Sequence, residues 1–403
     1  MEGVLPSGVS KHGANISSVY IKRSPPSLCN LLISVVSGGL SFGLCPFMWQ
    51  ILIKQEKVDY FIMDTPAQIG CPDKFVNIIR LLHDNMTATI ADNNGSQSEP
   101  FTVGPAVKQG CVIAPTLFII FIAMILHLVE GKLPTGVEII YRTDGKLFNL
   151  SRLKAKSKVT VTSVIELQYA DDNIVCARSE DDLQTILNIF AEAYEKLGLS
   201  LNIKKTKVLH QQVQNNPSAV PQIQLSGVTV ENVDHFSYLG SYLSTRANID
   251  AKIQHRLSSV SAVFSRLKCR VFEDRDIRRE TEMLVYKAIV LPTLLYACGT
   301  WTTYKRHLQL LERFHQRCLQ IFLHITWEDR QTNISVLEEA KITSVEAMIL
   351  QHQLCWTGHV VRMPDDHLPK QLLYSKLKNG KRNAGGQQKR FKNCLKQIFK
   401  SVV

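Results

Sequence analysis

"LQYADDNIVC", residues 167–176, sets two adjacent aspartates between two apolar runs. Neighbouring carboxylates repel, so such a pair stands either in a solvated turn or where a cation is to be held. The flanks predict the setting. Residues 164–170 and 174–178 read as two strands around a tight turn at Asp171–Asp172. Val164, Leu167, Ile174 and Val175 can anchor that hairpin in a core and leave its tip exposed. Alone, the Asp pair is weak evidence, because aspartate is common in surface turns.

The neighbouring segments supply a fold. "SEDDLQTILNIFAEAYEKLGLSLN" predicts a capped amphipathic helix from Ser179 to Leu197, ended by Gly198. "LSLNIKKTKVL" returns as a strand, and "DHFSYLGSYLS", residues 234–244, reads as a further hairpin. Upstream, residues 73–90 open with an Asp cap and place Phe75, Ile78, Ile79 and Leu82 at helical spacing. "ADNNGSQSEPFTV" reads as a turn between two strands. "APTLFIIFIAMILHLV", residues 114–129, is an apolar helix opened by a proline and short for a membrane span, so a core helix is expected. Beyond Asp250 the pattern turns helical, over 251–271, 276–290 and 305–323, with basic faces. The order β-α-β-β-α-β followed by helices predicts an α+β protein: a split βαβ antiparallel sheet with an all-helical part behind it.

Charge divides the chain. Residues 1–245 hold 20 Lys+Arg against 21 Asp+Glu, while 246–403 hold 27 against 14. No acidic residue occurs from His367 to Val403, where ten residues are Lys or Arg. Such asymmetry suits a polyanionic partner, and a solvated basic tail is the alternative. The ten cysteines contain no CxxC pair, which argues against a disulfide scaffold. His352, Cys355 and His359 are crowded and His315 lies near Cys318, but no four-ligand pattern is completed, so zinc is not expected. Residues 24–53 carry no charge over 30 positions. That stretch is long enough to span a bilayer, though Ser, Gly and Pro46 dilute it; a signal sequence and a buried or unstructured non-native extension are the other readings.

Several segments, in order, carry a resemblance: "GCPDKFVNIIRLLHDNMTATI", "AVKQGCVIAPTLF", "LQYADDNIVC", "LGLSLNIKKTKVL" and "FSYLGSYLS". Together they resemble the sequence preceding motif B, and motifs B to E, of reverse transcriptases, with wording close to non-LTR (LINE-type) retrotransposons. The tail from Thr343 to Lys396 resembles the region after their thumb, so the resemblance covers roughly residues 68–400. It implies an RNA-directed DNA polymerase, a nucleotidyltransferase working with Mg²⁺ or Mn²⁺ on an RNA template and a DNA primer, in nucleus or cytoplasm. No small-molecule cofactor is evident. By the resemblance, Asp171 is the metal ligand of motif C and Asp172 its helper, with Tyr169 near the primer end. Gln109 and Gly110 lie along the path of template base and nucleotide, Lys205 near the phosphates, and Tyr238, Leu239 and Gly240 in the primer grip. Lys376, Lys378, Lys381, Arg382, Lys389, Arg390, Lys392 and Lys396 are expected to contact nucleic-acid phosphates.

The pattern breaks at motif A, the second strand whose aspartate the chemistry needs. The nearest candidate is Asp64 in "YFIMDTPAQIGCP", separated from Gly70 by only five residues and directly before Thr65-Pro66, which resists the family's strand-to-helix passage. Expected domains are therefore an unrelated extension over 1–60 and an incomplete reverse-transcriptase palm over 61–245. A thumb-like helical part over 246–330 and a basic C-terminal region over 331–403 complete the chain. Three readings stand: a working polymerase with Asp171, Asp172 and Asp64 holding metal; a remnant that binds nucleic acid without catalysis; and a decayed product anchored in a membrane through 24–53.

Overall fold

The computed structural model describes residues 16–21, 71–83, 87–89, 97–102, 112, 114–145, 147–155, 157–169, 172–197, 199–211, 219–245, 248–274, 276–379 and 389–402. The elements up to the two-aspartate stretch are β1 (Ile16–Ile21), α1 (Asp73–His83), β2 (Thr87–Ala88), β3 (Phe101–Thr102), α2 (Ala114–Val129), β4 (Val137–Tyr141), β5 (Thr160–Val164) and β6 (Glu166–Tyr169). Then come β7 (Asp172–Ala177), α3 (Glu180–Lys196), β8 (Lys207–Gln211), β9 (Gln224–Leu225), β10 (Val228–Thr229), β11 (Glu231–Asn232), β12 (His235–Tyr238) and β13 (Ser241–Ser244). A helical part follows: α4 (Asp250–Leu267), α5 (Arg279–Val285), α6 (Lys305–Phe322), α7 (Asn333–Glu339), α8 (Val345–Arg362) and α9 (Leu368–Tyr374). Strand β14 (Ser375–Leu377) and helix α10 (Phe391–Val402) close the chain. The protein is thus α+β with small, largely antiparallel sheets.

The main sheet has the order β11-β8-β1-β7-β6. β7 can sit inside it because its sequence suits burial on both faces. Val175 and Ala177 turn toward α2 and α3, where they meet Phe121, Ile125, Leu183, Ile186 and Phe190. Ile174 and Cys176 turn the other way, toward Leu209, Phe236 and Leu243. Each fully buried aliphatic side chain there contributes about 1.5–3 kcal/mol. α3 is started by Ser179, whose Oγ accepts the Asp182 N–H at 3.1 Å, and its Leu183, Ile186, Leu187, Phe190 and Tyr194 form one buried stripe. The Ser179 cap and the helix to Leu197 agree with the sequence expectation.

β1 lies within the stretch expected to be an unrelated extension. It pairs antiparallel with β7 on one side, Val19 opposite Val175, and with β8 on the other, Val19 opposite Val208. The first 60 residues therefore supply a central strand to the sheet. Residues 24–53 lie outside the described residues, and no described helix is long and apolar enough to cross a membrane.

Other boundaries shift. The helix expected over 73–90 ends at His83, and Thr87–Ala88 pairs with Phe101–Thr102 as the turn reading required. The strand expected over "LSLNIKKTKVL" begins only at Lys207. Before it Asn202 organises a turn: its Oδ1 accepts the Lys205 N–H at 3.1 Å and its carbonyl accepts the Thr206 hydroxyl at 2.8 Å.

The helical part has its own core, with Trp301, Tyr286, Phe272, Leu311, Leu319 and Phe322 buried together. Inside it the Tyr286 hydroxyl meets His315 Nδ1 at 2.7 Å, and Cys318 is buried beside them. The buried His307 ring, its Nε2 2.7 Å from Asp250 Oδ1, ties α6 to the start of α4. His352, Cys355 and His359 are exposed along α8.

The basic C-terminal region does not trail away. β14 pairs with β4, Lys376 opposite Ile140, and β4 pairs in turn with β5. α10 docks through Leu395 and Ile398 against Val360, Leu373 and Tyr374. Neither the three-stranded sheet nor this docking was visible in the sequence.

Candidate functional site

The two-aspartate stretch forms a hairpin. Tyr169 closes β6 opposite Asp172, the first residue of β7. Asp172 is thus a strand residue, one position further into the sheet than the turn expected at Asp171–Asp172. Asp171, like Asp64, Gln109, Gly110, Lys381 and Arg382, lies outside the described residues. Tyr169 is exposed at the tip, Asp172 is half-buried, and Asn173 behind it is fully buried. Neither Asn173 Oδ1 nor Nδ2 has a hydrogen-bond partner among the described residues. An unsatisfied buried amide costs stability.

The β12–β13 hairpin brings its residues to this tip. The Tyr238 hydroxyl donates to the Leu167 carbonyl at 3.2 Å. Burial, reinforced by the negative charge of Asp172, pushes the Tyr238 phenol well above its ordinary pKa. The turn between the strands has positive φ at both Leu239 (47°) and Gly240 (72°), the geometry of a tight hairpin, which a glycine adopts without strain. Two helical-part residues clamp that turn. The Tyr296 hydroxyl donates to the Leu239 carbonyl at 2.9 Å, and Arg256 donates to the Gly240 carbonyl while stacking 4.4 Å from the Tyr296 ring. A Cβ on Gly240 would come within 3.3 Å of Tyr296. The hairpin therefore links the tip to the helices. Arg256 and Tyr296 were missed from the sequence, because nothing local marks residues that act across a domain joint.

Lys205 stands two residues before β8, whose Lys207 lies opposite Tyr20 of β1. Since Ile21 lies opposite Asn173, that end of β8 is the same end of the sheet as the Asp172 tip. The structure thus brings Tyr169, Asp172 and Tyr238 together and leaves Lys205 at the same sheet end, two strands away.

The donor set for a pair of divalent cations can be tested against this geometry. Such a pair needs carboxylates from adjacent strands, several oxygens to each ion. The strand beside Asp172 is β1, Ile-Ser-Ser-Val-Tyr-Ile, with no carboxylate; indeed none occurs from Gly3 to Gln55. Glu231 lies at the same sheet end but three strands across, about 14 Å away at ordinary strand spacing, and is paired with Lys207. Glu166, with its carboxyl pushed up by burial, stands opposite Val175, away from the tip. Among the described residues no group of three His, Cys, Asp or Glu converges. The described donors do not fit a two-cation site.

Of the six expected phosphate contacts among the described residues, three are held by other parts of the chain. Lys378 pairs with Glu138 at 2.7 Å, Lys389 donates to the Thr303 carbonyl at 2.9 Å, and Lys392 donates to the Ser375 carbonyl at 3.3 Å. Lys376 is half-buried in β14; Arg390 and Lys396 are exposed.

Residues 49–243 match the family model for reverse transcriptase (RNA-dependent DNA polymerase). The chain carries a reverse transcriptase domain. The match begins at residue 49 and ends at 243, against the 61–245 expected for this part. An uncharacterized transposon-derived protein of Caenorhabditis elegans is 24% identical over 245 residues, 60% of this chain and 87% of that protein. The RNA-directed DNA polymerase from the mobile element jockey of Drosophila melanogaster is 20% identical over 270 residues, 65% of this chain and 26% of that protein. The Pol polyprotein from the type-1 retrotransposable element R2 of Popillia japonica is 24% identical over 267 residues, 64% of this chain and 34% of that protein. The reverse transcriptase domain is thus of the LINE type. The chain spans only about a quarter to a third of the jockey and R2 proteins it matches.

Proposed function

We propose that this LINE-derived reverse transcriptase binds RNA template and DNA primer but no longer extends the primer efficiently. The observation that carries the reading is the strand beside Asp172. β1 fills the central place in the sheet yet brings no carboxylate to face the hairpin tip. Nucleotidyl transfer needs acidic ligands from both strands, so Asp171 and Asp172 by themselves leave each cation short of oxygens. A divalent cation, if held, would take Asp171 and Asp172 as ligands and would supply Lewis acidity to the phosphates.

In this reading the main sheet with α2 and α3 acts as the palm and the helices from Asp250 onward as the thumb. The Tyr238–Gly240 hairpin fixes one against the other. The net excess of 13 positive charges over residues 246–403, from 27 basic and 14 acidic residues, draws the nucleic acid to the helical side. A second reading, a working polymerase, draws on one fact: the family match begins at residue 49 and so includes Asp64.

The binding half is tested by filter retention of a primer annealed to RNA, over 50 to 300 mM salt. The reading expects affinity to fall steeply with salt, by a log–log slope of about −0.9 per neutralised phosphate, and to be the same in Asp172→Ala. Salt-independent retention, or none, would sink it.

A further inference from the structure

Helix α10 and the segment 142–154 meet along a seam with far more positive than negative charge. Arg152 stacks 5.5 Å from the Tyr374 ring, and Lys392 donates to the carbonyl of the next residue, Ser375, at 3.3 Å. Both cations therefore rest on the junction where α9 passes into β14. One turn further along α10, Lys396 stands 5.7 Å over the ring of Phe148, four residues before Arg152. The two segments are thus joined at two points.

The cations at this seam have little counter-charge, since Asp144 serves both Arg142 and Arg152. The Arg152 side chain is only 11% exposed. One of its nitrogens, Nη2, donates to the Arg142 carbonyl at 2.6 Å, but Nη1 is buried without a hydrogen-bond partner among the described residues. Asp144 Oδ1 stands 3.9 Å from Nη1, beyond bonding distance, and Asp144 is already engaged by Arg142 at 2.5 and 2.9 Å. Lys392 has a neutral carbonyl as its partner, with Arg152 and Arg390 as charged neighbours. Burial first, then those two neighbours, push its ammonium down to about 8. A fold gains nothing from burying two like charges together, and a ligand anion offsets that cost. Arginine forks suit phosphate oxygens, and the first turn of the twelve-residue α10 adds its partial positive charge.

We propose that Arg152 and Lys392 form a phosphate-binding site, and that its occupant is one phosphodiester of a bound nucleic acid. The nucleic-acid occupant rests on the function proposed above; the phosphate site does not. Arg152 lies outside the basic tail and has no sequence signal.

The test uses the full chain, wild type, Arg152→Gln, Lys392→Gln, the double variant carrying both, Arg152→Lys and the control Lys400→Gln, which removes an exposed charge from the same helix. Titration with inorganic phosphate by calorimetry reads the site. Retention of a single-stranded RNA reads the occupant. The proposal expects wild type and Lys400→Gln to bind phosphate and both Gln variants to lose it. RNA affinity falls about tenfold in each Gln variant, the worth of one charge-assisted hydrogen bond, with about one unit less salt slope. The double variant falls no further than either single one, because both cations hold one group. Arg152→Lys retains part of the affinity, separating lost charge from lost folding. Phosphate bound at the seam with no change in RNA affinity would keep the site and reject the nucleic-acid occupant. RNA retained by wild type and both Gln variants alike, with no phosphate bound, would overturn the site and leave nucleic-acid binding standing.

Discussion

Replacing Val19 by proline should open the main sheet while sparing the helical part. Val19 lies mid-way along β1, opposite Val175 on one side and Val208 on the other. A strand flanked on both sides has no outward-facing N–H, so whichever neighbour receives the Val19 N–H loses it. Proline inside such a strand removes that bond and forces the ring into the ladder, at a cost of about 3 kcal/mol or more. Val175 and Val208 are both fully buried, so the damage falls on the core between the sheet and α3. Each 1.36 kcal/mol is a factor of ten in an opening equilibrium, so amides of β7 and β8 should exchange with solvent roughly a hundredfold faster. Amide exchange read by mass spectrometry on peptides covering 172–177 and 207–211 measures this directly. Peptides from α6, which belongs to the other core, should be unchanged. Unaltered exchange in both flanking strands would refute the placement of β1 between them.

Further perturbations probe the tip and the helical core. Asn173→Leu replaces a buried amide that has no partner among the described residues by an apolar group of similar volume. It should leave stability equal or higher by about 1 kcal/mol in urea unfolding; a loss above 2 kcal/mol would mean the amide is satisfied. Tyr238→Phe removes the 3.2 Å bond to Leu167 and should cost about 1 kcal/mol. His315 is held at about 4 by burial against an ordinary 6.5. Its folded value is depressed, so the unfolded chain binds the extra proton. Its stability contribution is complete above pH 6.5 and disappears as pH falls toward 4, a swing of about 3 kcal/mol. His315→Gln should flatten that part of the stability–pH curve while still offering Tyr286 a hydrogen-bond partner.

What the sequence revealed follows the range of the forces involved. α2, α3 and the β12–β13 hairpin are written locally, in an apolar run, a Ser179 cap and a Leu239–Gly240 turn, and all three appear where expected. The run "LSLNIKKTKVL" misled in its first half, where Leu199, Leu201 and Ile203 pack against the core without belonging to a strand and Asn202 bends the backbone before Lys207. β1 was hidden for a different reason. Its Ser17–Ser18 pair gives no apolar alternation, and its partners lie more than 150 residues away. The pairing of Lys376 with Ile140 is longer in range still, and a basic stretch carries no mark of where it docks. The candidate site was legible as far as the hairpin that bears Asp172. Its limits were legible in part, because the break at motif A shows in the sequence, whereas the identity of the strand beside Asp172 shows only in the pairing of β1 with β7.

The central claim, a reverse transcriptase sheet whose neighbouring strand brings no acid to Asp172, is tested most directly by primer extension. The full chain, with β1 in place, is given an annealed RNA template and DNA primer with Mg²⁺ or Mn²⁺, beside Asp171→Ala and Asp64→Ala variants. The account predicts that the primer is retained in complex but not lengthened by any of the three. Processive extension by the wild type that disappears in both variants would contradict it, and would make Asp64 the carboxylate that completes the site.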